Sequence, residues 1–202
     1  MQSAGPQAPA EVVVVGGGNA ALCAALAARE AGARVLLLER DHQLTRGGNS
    51  KYTRNVRCAD PARYPPEELL DDLIRVTGEA IDLEMARFAT EQSLSAPSWM
   101  ERQGVVWQPA LRGTQALSRT NRFFLGGGKA LLNTYYRQAA TVGVEVRYRS
   151  RVTALGTGPG HRVRLGVEGE SGPSTVDARA VVVASGGFES NLEWLRRYRG
   201  DA

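Results

Sequence analysis

Apolar residues fall along this chain in two periods. Compact runs at Glu11 to Val15, Arg34 to Leu38 and Ala180 to Ala184 have the length and the Val/Leu content of strands buried on both faces. Between the first two lies Ala20 to Ala31, rich in Ala and Leu and stopped by Gly32, which predicts a helix. Strand, helix and strand in such short order make a βαβ unit with a parallel pair. Further on, Pro65-Pro66-Glu67-Glu68 opens a helix that runs to about Val76, with proline and acids in its first turn. Asp82 is a candidate cap for a helix to Glu91, and Ala96 to Arg102 reads as another that closes at Gly104. Val105 to Trp107 predicts a short strand, and a helix follows Gly126-Gly127-Gly128-Lys129 to about Val142. Val144 to Tyr148 is again strand-like. Arg151 to Leu155, Arg162 to Val167 and Ser174 to Val176 alternate between Gly/Pro-rich turns, the pattern of a β-meander.

Three stretches carry no period. Met1 to Ala10 is small and polar with two prolines and is expected to be a flexible tail. Asp41 to Tyr64 holds Arg46, Lys51, Arg54, Arg57 and Arg63; so long a structureless loop in a compact domain tends to be functional. Gln108 to Asn121 is weakly patterned. The expected organisation is a tail over 1–10, one domain over 11–190 with a helical insertion at about 65–104, and a link onward over 191–202.

The chemistry concentrates where the first strand meets the first helix. Gly16-Gly17-Gly18-Asn19-Ala20-Ala21 lets the backbone turn sharply and presents bare N–H groups to a pyrophosphate at a helix start. Glu39, at the end of the second strand, stands where such units hold a ribose hydroxyl. A lone glycine motif is weak, but strand, turn, helix, strand and acid fall in register, with small Ala21 at the third motif position. An acid in that place favours an unphosphorylated ribose, hence FAD or NAD over NADP. The second triplet, Gly126 to Gly128, lacks P-loop spacing and is either a tight turn against another backbone or a cofactor-facing one.

Composition narrows this little. At 202 residues, 43% hydrophobic and 23% charged, the chain is ordinary globular protein. Its net charge of +4 comes almost wholly from Arg, with Lys51 and Lys129 the only lysines. No compact basic stripe interleaved with aromatics marks a nucleic-acid binder. Cys23, Cys58, His42 and His161 lack ligand spacing, so no metal site is expected, and Cys23 reads as a packing residue. No run resembles a signal h-region or a transmembrane span, which makes the cytoplasm the expected compartment.

The order of G-x-G strand, acid-ended strand, meander and late strand ending in Ala184-Ser185-Gly186-Gly187-Phe188 resembles the α/β, glutathione-reductase-like FAD-binding Rossmann domain. Arg46-Gly47-Gly48-Asn49-Ser50 and the Gly-Gly-Phe tail resemble the fumarate reductase and succinate dehydrogenase flavoprotein family. Within it, Gly16 to Leu26, Gly47 to Ser50 with Thr53-Arg54-Asn55-Val56-Arg57-Cys58, and Gly126 to Leu131 are similar to the FAD-dependent tricarballylate dehydrogenases. The resemblance runs from Glu11 onward and implies that Gly16, Gly17, Gly18, Asn19 and Ala20 meet the FAD pyrophosphate. Glu39 would hold the adenosine ribose with Arg40 beside it, and Gly47, Gly48, Asn49 and Ser50 would lie toward the flavin. Val152 would offer its backbone to adenine, and Ala184, Ser185 and Gly186 would line the nucleotide half. The family's capping domain, return segment and main catalytic residues would lie beyond Ala202, so the resemblance implies the cofactor-binding part of a dehydrogenase of a small polycarboxylate. It equally leaves open another flavoprotein of the family or a catalytically incomplete dinucleotide-binding fragment. Arg54 and Arg57 are candidates for substrate carboxylates, or are simply solvated or paired with FAD phosphates or nearby acids. An iron–sulfur or membrane-associated electron acceptor is the partner the resemblance implies.

Overall fold

The computed structural model describes residues 10–109 and 117–200. The expected tail, apart from Ala10, lies outside them, as do part of the weakly patterned stretch and the last two residues of the expected link. Along the chain run β1 (Val12–Val15), α1 (Asn19–Glu30), β2 (Val35–Leu38), β3 (Asn55–Arg57), α2 (Pro66–Thr77), α3 (Leu83–Gln92) and α4 (Ala96–Arg102). There follow α5 (Leu117–Thr120), β4 (Asn121–Phe123), α6 (Gly127–Thr141), β5 (Glu145–Arg147), β6 (Arg151–Thr157), β7 (Val163–Gly169), β8 (Gly172–Ala178), β9 (Ala180–Val183) and α7 (Leu192–Arg199). They gather into two compact units, Met1–Asn49 with Ala139–Ala202, and Ser50–Gln138.

The first unit is built on a parallel sheet ordered β5-β2-β1-β9. Val12 to Val15 pair with Val35 to Leu38 on one side and with Ala180 to Val183 on the other. One face, Val13, Leu36 and Leu38, packs against Leu165, Val167 and Ala178 of the antiparallel meander β6-β7-β8. The buried stripe of α1, Ala21, Leu22, Ala25 and Leu26, supplies a second apolar layer of the same unit. Each fully buried leucine contributes about 1.5–3 kcal/mol, which is why this short helix needs no strong cap to persist.

β9 departs from expectation. It pairs parallel with β1, yet among the described residues it is the outer strand, with Val182 37% and Val183 60% exposed. An apolar run of four fits a central strand or an edge strand equally well, because periodicity reports composition and not the number of neighbours.

The second unit holds the helices expected at 65–104 and extends on both sides of them. Asp82 caps α3 as its sequence position suggests, accepting from the Met85 N–H at 2.9 Å. The region from Asp41 to Tyr64 is not structureless: a 3-10 turn occupies Gly48–Tyr52, and β3 pairs antiparallel with β4. Val105 to Trp107 forms no strand. The Val105 N–H instead closes α4 onto Met100 O at 3.0 Å, and Trp107 makes an isolated bridge to Phe124 while stacking on its ring. At the second glycine triplet, the Gly128 N–H donates to Thr53 O at 2.7 Å, and a Cβ there would lie 2.9 Å from the Lys51 carbonyl carbon. This is the tight turn against another backbone.

Tyr64 anchors this unit. Its side chain is fully buried beside Ala59 and Leu69, and its hydroxyl donates to Asp72 Oδ2 at 2.6 Å. Burial and that bond push the phenol up to about 12, while the bond from Tyr64 holds Asp72 below its usual range. Tyr64→Phe is expected to lower stability by about 1–2 kcal/mol in urea unfolding. A carboxylate depressed in the folded state stabilises above its unfolded pKa and loses that contribution as pH falls through the folded value. The gap between the two proteins should therefore narrow on acidification, and a gap constant with pH would exclude the charged hydrogen bond as its source.

Candidate functional site

The turn after β1 is shaped by one close approach. Gly16 adopts φ +113°, and its N–H donates to Leu38 O at 2.8 Å. A Cβ on Gly16 would overlap the Ala184 carbonyl, 2.9 Å from its carbon and 3.2 Å from Ser185 Cα. The Ala184 N–H in turn donates to Val15 O at 2.9 Å, so the end of β9 is fixed over the turn. Gly17 is buried. Gly18 is the N-cap of α1, in extended conformation and with no side chain to satisfy the helix's first N–H groups. Asn19 is half-buried, Ala20 is exposed, and no acid stands in the first turn. A helix start without a side-chain cap, at the positive end of the helix dipole, suits an anion.

Glu39 directly follows β2 and is 5% exposed. Its backbone N–H donates to Arg147 O at 2.9 Å, and its Oε1 accepts from the Asp41 N–H at 2.9 Å. Burial raises its pKa in spite of that bond. A carboxyl raised in the folded state costs stability as pH climbs from the unfolded value, about 4.3, through the folded one. Glu39→Gln is therefore expected to make the FAD-free protein more stable than wild type at neutral pH, with the difference vanishing near pH 4, while cofactor affinity falls about tenfold. Parallel pH profiles of the two urea midpoints would refute this. Arg40, expected beside the ribose, has a side chain 75% exposed and its Nε 3.8 Å from Asp41 Oδ1.

The other residues of the first unit lie as follows. Gly47 is buried at φ +101° and Gly48 follows at φ +50°. The Asn49 amide donates to Glu189 Oε2 at 3.1 Å, joining this loop to the segment after β9, where Ser185 and Gly186 are exposed. Val152 is half-buried opposite Val167, at a register shift between Val152 and Ala154. Turn, Glu39, Gly47 loop, Val152 and Ala184 to Gly186 thus belong to one unit. Ser50, Arg54 and Arg57 belong to the other. There Arg57 Nη1 sits 3.7 Å from Asp72 Oδ2 with its guanidinium over the Tyr64 ring. Arg54 is exposed and its guanidinium makes no hydrogen bond or ion pair among the described residues. Tyr148 and Glu189, which touch Arg46 and Asn49, carried no sequence signal of their own.

The sequence profile of the FAD binding domain family matches residues 11–202. This chain belongs to that family. Its cofactor is FAD, and the residues present fit the group: a glycine turn with no room for a Cβ, an uncapped helix start and a buried carboxylate at the end of the neighbouring strand. Over 98% of its length this FAD domain is 29% identical to the "Probable fumarate reductase Ifc3" of Shewanella frigidimarina (strain NCIMB 400), matching 35% of that protein. Over 93% it is 27% identical to the vinyl phenol reductase of Lactiplantibacillus plantarum (strain ATCC BAA-793 / NCIMB 8826 / WCFS1), matching 40% of it. The open conformation of a flavocytochrome c3 fumarate reductase superposes with a TM-score of 0.81 at 30% identity, covering 96% of this chain and 36% of that one. The 3-ketosteroid-Δ4-(5α)-dehydrogenase of Rhodococcus jostii RHA1 shares the fold, with a TM-score of 0.79 at 23% identity over 95% of this chain and 49% of that one. The FAD domain spans between a third and two fifths of the length of the curated relatives named here. Among the described residues no cluster of His, Cys, Asp or Glu could hold a metal, and no helix is long and apolar enough to cross a membrane.

Proposed function

We propose that this chain is the FAD-binding portion of a flavin-dependent oxidoreductase acting at a carbon–carbon bond of a small polycarboxylate. The observation that carries the reading is the Gly16 turn closed by Ala184 beside buried Glu39, within a chain of the FAD binding domain family. Gly16 to Ala20 take the pyrophosphate on backbone N–H groups, Glu39 takes the adenosine ribose, and Ala184 to Gly186 cover the nucleotide. Gly47, Gly48, Asn49 and Ser50 lie toward the flavin, and Val152 serves adenine through its backbone. Bound FAD supplies a carrier that accepts or returns a hydride at N5.

The substrate we propose is tricarballylate, oxidised to a product of cis-aconitate type, with electrons leaving to an iron–sulfur or membrane-associated acceptor. The Thr53 to Cys58 stretch supports it, and exposed Arg54 has the planar fork that pairs a carboxylate. Arg57 is already engaged by Asp72 and is the weaker candidate. A second reading, reduction of an activated double bond, is favoured by relatives named as reductases of fumarate, vinyl phenol and urocanate.

The test is to purify the protein with FAD and add tricarballylate anaerobically. Bleaching of the oxidised flavin by tricarballylate, and not by other carboxylates, supports the oxidative reading. Reoxidation of the pre-reduced flavin by fumarate or urocanate, with no response to tricarballylate, would replace it with the second.

A further inference from the structure

Helix α3 leaves one face uncovered on the second unit. Leu83, Glu84, Arg87, Phe88 and Glu91 line an open hollow of about 410 Å³ there. At about 100° per residue these five fall on one stripe of the helix, while its buried residues, Ala86 and Thr90, lie off it. Leu83 is 51% exposed and Phe88 59%. The charges on the stripe are uncommitted. Glu84 stands three residues before Arg87 and Glu91 four after it, spacings that permit ion pairs, yet among the described residues none of the three side chains makes one.

Single exposed apolar residues are ordinary, but this arrangement is complementary to itself. Set two copies of α3 antiparallel about a twofold axis at the level of Met85 and Ala86. Leu83 of one copy then opposes Phe88 of the other, Glu84 opposes Arg87, and the axis repeats both contacts. Neither neighbouring register does as well: opposing Arg87 to Glu91 sets Phe88 against buried Thr90, and opposing Glu84 to Glu91 sets acid against acid. Leucine and phenylalanine supply the burial, while the paired charges fix direction and register. The ten residues of α3 extend about 15 Å, so the contact belongs with the small interfaces, under about 1,200 Å², that give weak and transient assemblies.

We infer that this face of α3 is a docking surface for a second copy of the chain, joined by Leu83–Phe88 contacts and Glu84–Arg87 ion pairs across the twofold axis. It is independent of the substrate reading. Sedimentation velocity of the FAD-loaded protein tests it over a concentration series up to about 1 mM, with circular dichroism to check that each variant is folded. A reversible dimer with a dissociation constant of about 10–100 μM is expected. Every substitution enters twice, so Arg87→Glu, Glu84→Arg and Phe88→Asp should each weaken association at least about tenfold. Combining Glu84→Arg with Arg87→Glu reverses both charges and should restore the dimer to within about threefold of wild type. Leu155→Asp, at a residue 53% exposed in the first unit, should change nothing. A protein monomeric throughout the series would assign the face to another partner and overturn the inference. So would folded Arg87→Glu and Phe88→Asp proteins that dimerise like wild type, a double variant no better than either single one, or a loss from Leu155→Asp equal to that from Phe88→Asp.

Discussion

Gly16→Ala is expected to yield a chain that retains no FAD and has lost several kcal/mol of folding stability, a large part of the 5–15 kcal/mol typical of a domain. Two costs add. At φ +113° an L side chain is strained by about 1–3 kcal/mol wherever it points. The new Cβ then meets main-chain atoms of Ala184 and Ser185, which cannot rotate away because Ala184 is bonded to Val15. Relief requires β9 to move off the turn, and that movement opens the nucleotide half of the site. Gly32→Ala is the matched control: its φ is +84°, but a Cβ there meets open space. Urea unfolding and the FAD content of the purified proteins separate the two. A Gly16→Ala protein that binds FAD with the stability of Gly32→Ala would refute the account of the turn.

The second large effect is expected at Gly128→Ala, in the other unit. The Cβ would overlap the Ser50 carbonyl and lie 3.0 Å from Lys51 O, while the Gly128 N–H holds Thr53 O. Forcing backbone from backbone costs about 1–3 kcal/mol even where the chain yields. The damage should be local: faster proteolysis around residues 50–57 and at the start of α6, with a lower melting temperature. Intact proteolytic resistance, with α6 still docked on Thr53, would show that the 3-10 turn at Gly48–Tyr52 shifts at no cost. Together the two variants test whether cofactor retention depends on the first unit's turn alone.

Much of this architecture was legible because its determinants are local. Four valines, three glycines and an Ala/Leu helix announce β1, the turn and α1 within twenty residues, and alternation with Gly/Pro turns announces the meander. What escaped is non-local. Asn55–Arg57 and Asn121–Phe123 have no apolar alternation, and each is a strand only because the other, more than sixty residues away, supplies its hydrogen bonds. The exposure of β9 depends on which strands flank it, which no periodicity records. The place of Glu39 at the end of β2 could be read from the sequence. Neither the phenol of Tyr148 that accepts from Arg46 nor the acid that neutralises Arg57 could be read, since both arrive from other segments.

The roof of the glycine turn has an implication for how the site comes into being. β1, α1 and β2 can pair as soon as they are made, but the strand that closes over Gly16 is β9, and the whole Ser50–Gln138 unit is synthesised in between. A nascent chain lacking Ala184 to Gly186 has the motif without the backbone that packs against Gly16. Loading of FAD is therefore expected to follow the pairing of β9 with β1, and bound cofactor should act as a fastener between those two strands.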